Sequence, residues 1–241
     1  MATITLHYDA APRLTNRPGN EFLTGLVIDH ATALGWNQGF DGQDPESVAW
    51  QINEAAWEDR AHGTACSIQV SLPQGRCITP PFAGITACAE AAWRRLGLGN
   101  PSGYSFAFHP RDTFLREPEA TRLFRLAPAS GECSAVVTLC RPEESATGPT
   151  TASAALPDLL GSLHDLLTDV SASPAGSTFL PPEFLEFHET PWQPVDAVTC
   201  RLREWSPLMA GALANAVAFH FQDPEDSTPF LLHLALAQRE G

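Results

Sequence analysis

Lysine is absent: all 14 basic residues among the 241 are arginine. Without that amine the chain has no pyridoxal Schiff base, no Walker A or kinase-type phosphate lysine, and no lysine nucleophile. Clustered cations are missing as well. Against 28 Asp and Glu the formal net charge is −14, and arginines come at most in adjacent pairs such as Arg94 and Arg95. Binding to nucleic acid or to an anionic membrane surface rests on such clusters, so neither is an expected partner. No apolar run reaches the ~20 residues of a spanning helix; the longest late stretch, Leu208 to Phe221, is interrupted by Asn215 and His220. No cationic segment leading into an apolar run is visible over Met1 to Leu14, which makes a cytoplasmic location the expectation. The six cysteines, Cys66, Cys77, Cys88, Cys133, Cys140 and Cys200, form no C-x-x-C pair and no Cys/His knuckle. Neither a metal site nor a bound organic cofactor is expected, and the thiols read as small buried hydrophobes.

What is present is a globular balance, 44% hydrophobic against 17% charged residues, with enough apolar mass for a sizeable core. Arginine without lysine, abundant alanine and 21 prolines resemble the coding bias of a high-GC bacterium, which points toward specialised metabolism.

The hydrophobic pattern is written twice. Ile4, Leu6 and Tyr8 alternate with Thr3, Thr5 and His7 as in a half-buried strand, and Phe22 to Leu34 repeats at helical spacing with Gly35 as its stop. Val48 to Ile52 alternates, although Trp50, Glu54 and Trp57 also suit a helix; Ala65 to Leu72 is a strand closed by Pro73-Gln74-Gly75. Thr79-Pro80 starts a helix that runs to Gly97, and Tyr104, Phe106 and Phe108 mark a strand. The second half gives a strand at Ala135 to Cys140, a helix marked by Leu159, Leu160, Leu163, Leu166, Leu167 and Val170, and strands at Glu183 to His188 and Ala197 to Arg203. A helix over Leu208 to Phe221 and a strand over Phe230 to Ala237 complete it. Shifted by 127 residues, Pro80 falls on Pro207 and Ala83-Gly84 on Ala210-Gly211. The expected fold is α+β, a duplicated ferredoxin-like βαββαβ unit with two four-stranded antiparallel sheets and helices on one face. Residues 1–125 and 126–241 form its two units, packed as one globular body. One larger mixed sheet is the rival arrangement.

In such a unit the end of the first strand and the start of the third share an edge. The first half places His7, Asp9 and His62 there, and the second half places His188 and Glu189 in the corresponding loop. Histidine beside carboxylate suits acid–base chemistry near neutral pH, because the carboxylate fixes the tautomer and raises basicity. His7, His62, His188 and Glu189 are therefore the candidate catalytic residues. His30 and His220, on apolar helix stripes, read instead as core-edge residues bonded to backbone carbonyls. His109 and His233 occupy strands whose open face can line a cavity or pack against the other half. Gly103-x-Ser105 lies within a strand and so forms no nucleophile elbow, and a Cys77 nucleophile at a helix start stays open.

His62-Gly63-Thr64 and His188-Glu189-Thr190 resemble the paired H-x-T signature of the two-histidine phosphoesterases. The resemblance covers those triplets alone. It implies a bilobal hydrolase in which one histidine is the base and the other protonates the leaving oxygen, whereas phosphate recognition calls for more basic residues nearby. The expected function is a cofactor-independent enzyme, of isomerase, cyclase or lyase type, acting on a small apolar metabolite by His/carboxylate acid–base chemistry. The alternative is a noncatalytic binding subunit of a larger biosynthetic complex, with a basic protein partner or a second copy of itself.

Overall fold

The computed structural model describes residues 2–8, 19–33, 51–60, 63–71, 82–111, 131–143, 155–163, 166–172 and 192–237. Their elements follow one another as β1 (Ala2–Tyr8), α1 (Asn20–Ala33), β2 (Gln51–Arg60), β3 (Gly63–Ser71), α2 (Phe82–Arg95) and β4 (Gly103–Phe108). The second half continues with β5 (Cys133–Pro142), α3 (Ala155–Ser162), β6 (Leu167–Ala172), β7 (Trp192–Leu202), α4 (Pro207–His220) and β8 (Phe230–Leu236). All eight strands join one antiparallel sheet in the order β2-β3-β1-β4-β8-β5-β7-β6.

The α+β class holds, but the expected pair of four-stranded sheets gives way to a single sheet. The reason lies at β4 and β8. Each has only one neighbour within its own half, and an unpaired edge would leave a row of backbone donors and acceptors open. Gly103 to Phe108 pairs instead with Ala235 to Phe230, which joins the halves. A second correction concerns the leucine repeat after α3. It continues past Ser162 at a spacing that fits a helix, yet the chain turns through Leu163 and Leu166 and then extends as β6. The outer edge of β7 supplies backbone partners there, and tertiary pairing overrides local periodicity. The strand expected at Glu183 to His188 lies outside the described residues.

Alternation decides which side of each strand is covered. Ile4, Leu6, Cys66, Ile68, Phe106, Val137, Val198 and Leu232 share one buried core with Leu23 and Val27 of α1, Ile85 and Trp93 of α2, Leu160 of α3 and Leu213 of α4. The helices thus pack on one face of the sheet. α4 begins as its sequence suggests: the Ser206 side chain accepts from the Met209 N–H, and Pro207 sits in the first turn. α2 has no acidic residue in its first turn, and its Phe82 N–H donates to Asn215 Oδ1 on α4 at 2.9 Å. Asn215, the polar interruption of an apolar helix, is a cap supplied across the helix pair. Two residues beyond the Arg95 end of α2 comes Gly97, whose φ of 81° glycine adopts without strain, and the Leu98 N–H turns back to the Trp93 carbonyl.

At the β1 C-terminal end the covered face turns polar. Tyr8 stands directly across from Thr64, and Trp57, Cys66, Leu6 and Tyr104 form the next row over four strands. Trp93 of α2 lies against Trp57 with ring centroids 5.5 Å apart, and Trp205 lies 5.2 Å from Tyr104. The hydroxyls of Tyr8, Tyr104 and Thr64 and the indole N–H groups of Trp57 and Trp93 are buried with no hydrogen-bond partner among the described residues. Each such group costs about 1–3 kcal/mol when left unmade. Burial drives both phenol pKa values upward, and it raises the half-buried Glu90 despite the Arg94 guanidinium 2.7 Å away.

At the opposite end of the sheet, buried Arg141 lies 4.3 Å from the Phe230 ring centroid and is ion-paired with Asp226. Burial pulls the Asp226 carboxyl upward, but the Thr228 N–H and the Arg141 guanidinium outweigh it and hold the group below the usual carboxylate range. A carboxylate with a depressed folded pKa stabilises the fold above its unfolded pKa and loses that contribution as pH falls through the folded value. Asp226→Asn is expected to lower the melting temperature at pH 7, with the gap to wild type closing as the pH drops below the ordinary Asp pKa of about 3.9. Thermal scans from pH 7 downward check this; a gap independent of pH would refute the ion-pair account.

Candidate active site

The face that carries none of the described helices is the other half of the same alternation. Register places Ser67, Thr5, Ser105, His233 and Thr138 in one row across β3, β1, β4, β8 and β5. Five polar side chains in a row are each 8% exposed or less. Thr5 and Ser67 bond hydroxyl to hydroxyl at 3.1 Å. One step along the strands, half-buried His7 is flanked by Ala65 and Gly103. One step the other way, Ala107, Leu231 and Cys140 line up and pack with Trp192 as a separate apolar cluster. The face therefore runs from imidazole through hydroxyls to an apolar floor.

Ser105 is the centre of the polar part. Its Oγ lies 2.7 Å from His7 Nε2 and 2.8 Å from His233 Nδ1, and the two rings meet edge to face with centroids 5.4 Å apart. A serine hydroxyl has one proton and two acceptor sites. When it donates to one ring and accepts from the other, a proton taken up at one imidazole passes through the hydroxyl to the second. Three strands hold the trio, so its spacing is set by the sheet rather than by a loop. Gly103 makes room for it: a Cβ there would stand 3.5 Å from both His233 Cε1 and His7 Cδ2, and only 3.1 Å from the Leu234 carbonyl.

Burial disfavours the thiolate form at three of the described cysteines. Burial pushes the Cys140 and Cys200 thiols up to about 12 and Cys88 up to about 11, away from the thiolate that reacts. Cys77 lies outside the described residues. Among the described residues no three His, Cys, Asp or Glu side chains gather as metal ligands, and no helix is long and apolar enough to cross a membrane.

Of the four residues that sequence singles out, His7 stands in the cluster, while His62, His188 and Glu189 lie outside the described residues. Thr64 of the first H-x-T triplet belongs to the helix-covered side, opposite Tyr8, not to the face carrying His7. His30 does bond a backbone carbonyl, Nδ1 to Leu26 O at 2.8 Å. His220 departs from its expected place at the core edge: it is exposed at the end of α4, edge-on to Phe221, while its neighbours Phe219 and Phe221 are the residues packed against the core there.

Ser105 and the role of His233 are what sequence reasoning missed. Gly103-x-Ser105 was unremarkable once an elbow was excluded, yet a signal was there. Gly103, Ser105 and Ala107 are the small members of an alternation whose large members are Tyr104, Phe106 and Phe108. Small residues opposite an aromatic face leave room on their own side for larger neighbours from adjacent strands. Comparison with protein-family models, with curated proteins and with solved structures finds no significant match to this chain.

Proposed function

We propose that this protein is a cofactor-independent enzyme that moves protons on a small, mainly apolar metabolite, with His7, Ser105 and His233 as its acid–base relay. The observation that carries the reading is one buried serine hydroxyl within hydrogen-bond distance of two imidazoles from different strands. Half-buried His7 is the member positioned to meet substrate, Ser105 conducts, and His233 holds the second proton. The apolar strip of Ala107, Leu231, Cys140 and Trp192 beside it suits a substrate with little charge. Isomerisation, cyclisation and elimination are the reaction types that need proton transfer and nothing else.

Duplication belongs to the same proposal, with units 1–125 and 126–241. Read from the outer edge inward, the first half runs β2-β3-β1-β4 and the second β6-β7-β5-β8, the same order of second, third, first and fourth strand. Ala83 and Gly211, from the two segments that overlie at an offset of 127, meet where α2 and α4 cross. A ferredoxin-like repeat about a local two-fold axis accounts for both facts, and it puts the relay on the seam between β4 and β8.

The test is incorporation of solvent deuterium. Small molecules extracted from the source organism are incubated with the protein in heavy water and followed by liquid chromatography and mass spectrometry. Wild type is expected to label or convert at least one compound, His7→Ala to lose roughly 10²–10⁴-fold in rate, and Ser105→Ala to lose on the order of ten- to a hundredfold by breaking the relay. Equal rates in His7→Ala and wild type, or no conversion by wild type, would remove the proposal. In the second case, a stoichiometric basic protein captured by the chain, in keeping with its net charge of −14, would favour the binding-subunit reading.

A further inference from the structure

We infer that the outer flank of α1 is a docking surface for a basic amphipathic helix of another protein. Leu23, Val27 and Ala31 make the stripe that α1 buries. A surface helix keeps its remaining sides polar. On α1, however, Phe22, Gly25, Leu26, Asp29 and Ala33 follow one another at spacings of three and four along a second stripe, and Asp29 is its only charged member. Phe22 is 57% exposed, and among the described residues only Leu236 is another exposed large hydrophobic side chain. Leu26 beside it is half-buried against the core. A Cβ at Gly25 would meet nothing within 4 Å, so a second helix can approach the backbone there while Phe22 fills its groove. An exposed aromatic anchor next to bare backbone is the arrangement that gains most from a partner.

Charge selects the occupant. Glu21 and Asp29 are exposed on α1, and exposed Glu54 of β2 stands by its first turn, where it accepts from Asn20 Nδ2 at 3.4 Å. The helix contains no arginine, and its one histidine, His30, is bonded to the Leu26 carbonyl. A second copy of the chain, with its net charge of −14, would bring the same carboxylates against these. An anionic membrane surface is repelled for the same reason. A helix with aliphatic side chains on one face and Lys or Arg along its borders buries Phe22 and Leu26 and meets the carboxylates as well. With two anchors the contact is small, which fits a transient complex. The sheet separates α1 from His7, Ser105 and His233, so this surface works independently of the proposed relay.

The probe is a fluorescein-labelled peptide of leucine and lysine, roughly 18 residues long so that it holds a helix, with its leucines on one face. Fluorescence anisotropy follows its titration with the full chain. Saturable binding is expected, weakening about tenfold in Phe22→Ala and in Gly25→Gln and unchanged in Leu236→Ala and His7→Ala. Both α1 variants change exposed or open positions and are expected to melt close to wild type, which separates lost docking from lost folding. The inference is overturned by no saturable binding, by unchanged affinity in both α1 variants, or by equal affinity for the same residues in an order that leaves no leucine face. Two further results would assign the surface to another occupant and overturn it equally. One is a dimer of the chain in analytical ultracentrifugation that Phe22→Ala dissolves, and the other is binding to phosphatidylserine vesicles that Phe22→Ala abolishes.

Discussion

Gly211→Ala is expected to destabilise the fold by about 3 kcal/mol or more, at the upper end of overpacking costs, and to lower the melting temperature by roughly 10 °C for a chain of this size. The added methyl would stand 2.4 Å from Ala83 Cα, 2.7 Å from Ala83 N and 2.8 Å from the Phe82 carbonyl. All three are backbone atoms, so no side chain can swing aside, and α2 and α4 must separate. Separation also pulls Asn215 away from the Phe82 N–H that it caps, leaving a buried donor and a buried amide unmatched. Gly25→Ala is the control, since a Cβ there meets nothing within 4 Å and Ala is the better helix former. Thermal and urea unfolding of the two variants check the contrast. Equal stability in both would mean that the helices do not cross at this glycine.

Phe106→Ala is the other large effect, expected at about 3–5 kcal/mol. The side chain is fully buried, with Ile4 and Leu232 opposite it on the neighbouring strands and the Phe82 ring edge-on at 5.6 Å. It sits in β4, where the two halves of the sheet are joined, so the void opens beneath the seam and few neighbours are free to collapse into it. Its chain neighbours Ser105 and Ala107 point to the other face, so the relay geometry depends on this packing only through the backbone. A loss below about 1.5 kcal/mol in urea unfolding would show that the core relaxes far more than this packing implies.

Most of the fold was legible because alternation and helical spacing are local. β1, β3, β4, β8 and the helices α1, α2 and α4 lie within a few residues of where the apolar pattern puts them. What was misread and what was ambiguous share a cause. Leu167 and Val170 continue a helical leucine spacing, and only the edge of β7 made them a strand. Glu54 and Trp57 suited a helix as well as a strand, and pairing with β3 kept them in a strand, β2. The candidate site was half legible. His7 came from its place at a strand end, whereas Ser105 and His233 looked like ordinary strand residues 128 positions apart. No spacing rule joins them, because their meeting depends on the register of β4 against β8.

Sequence by itself determined the absence of lysine chemistry in this chain, the α+β class and which side of each strand is apolar, since these follow from residue type and from periods of two and 3.6. Tertiary structure alone decided that two sheets become one, that Asn215 caps another helix, and that a serine lies between two histidines. Those outcomes rest on pairing between distant edges, where the free energy of closing backbone hydrogen bonds and burying facing side chains outweighs any local preference.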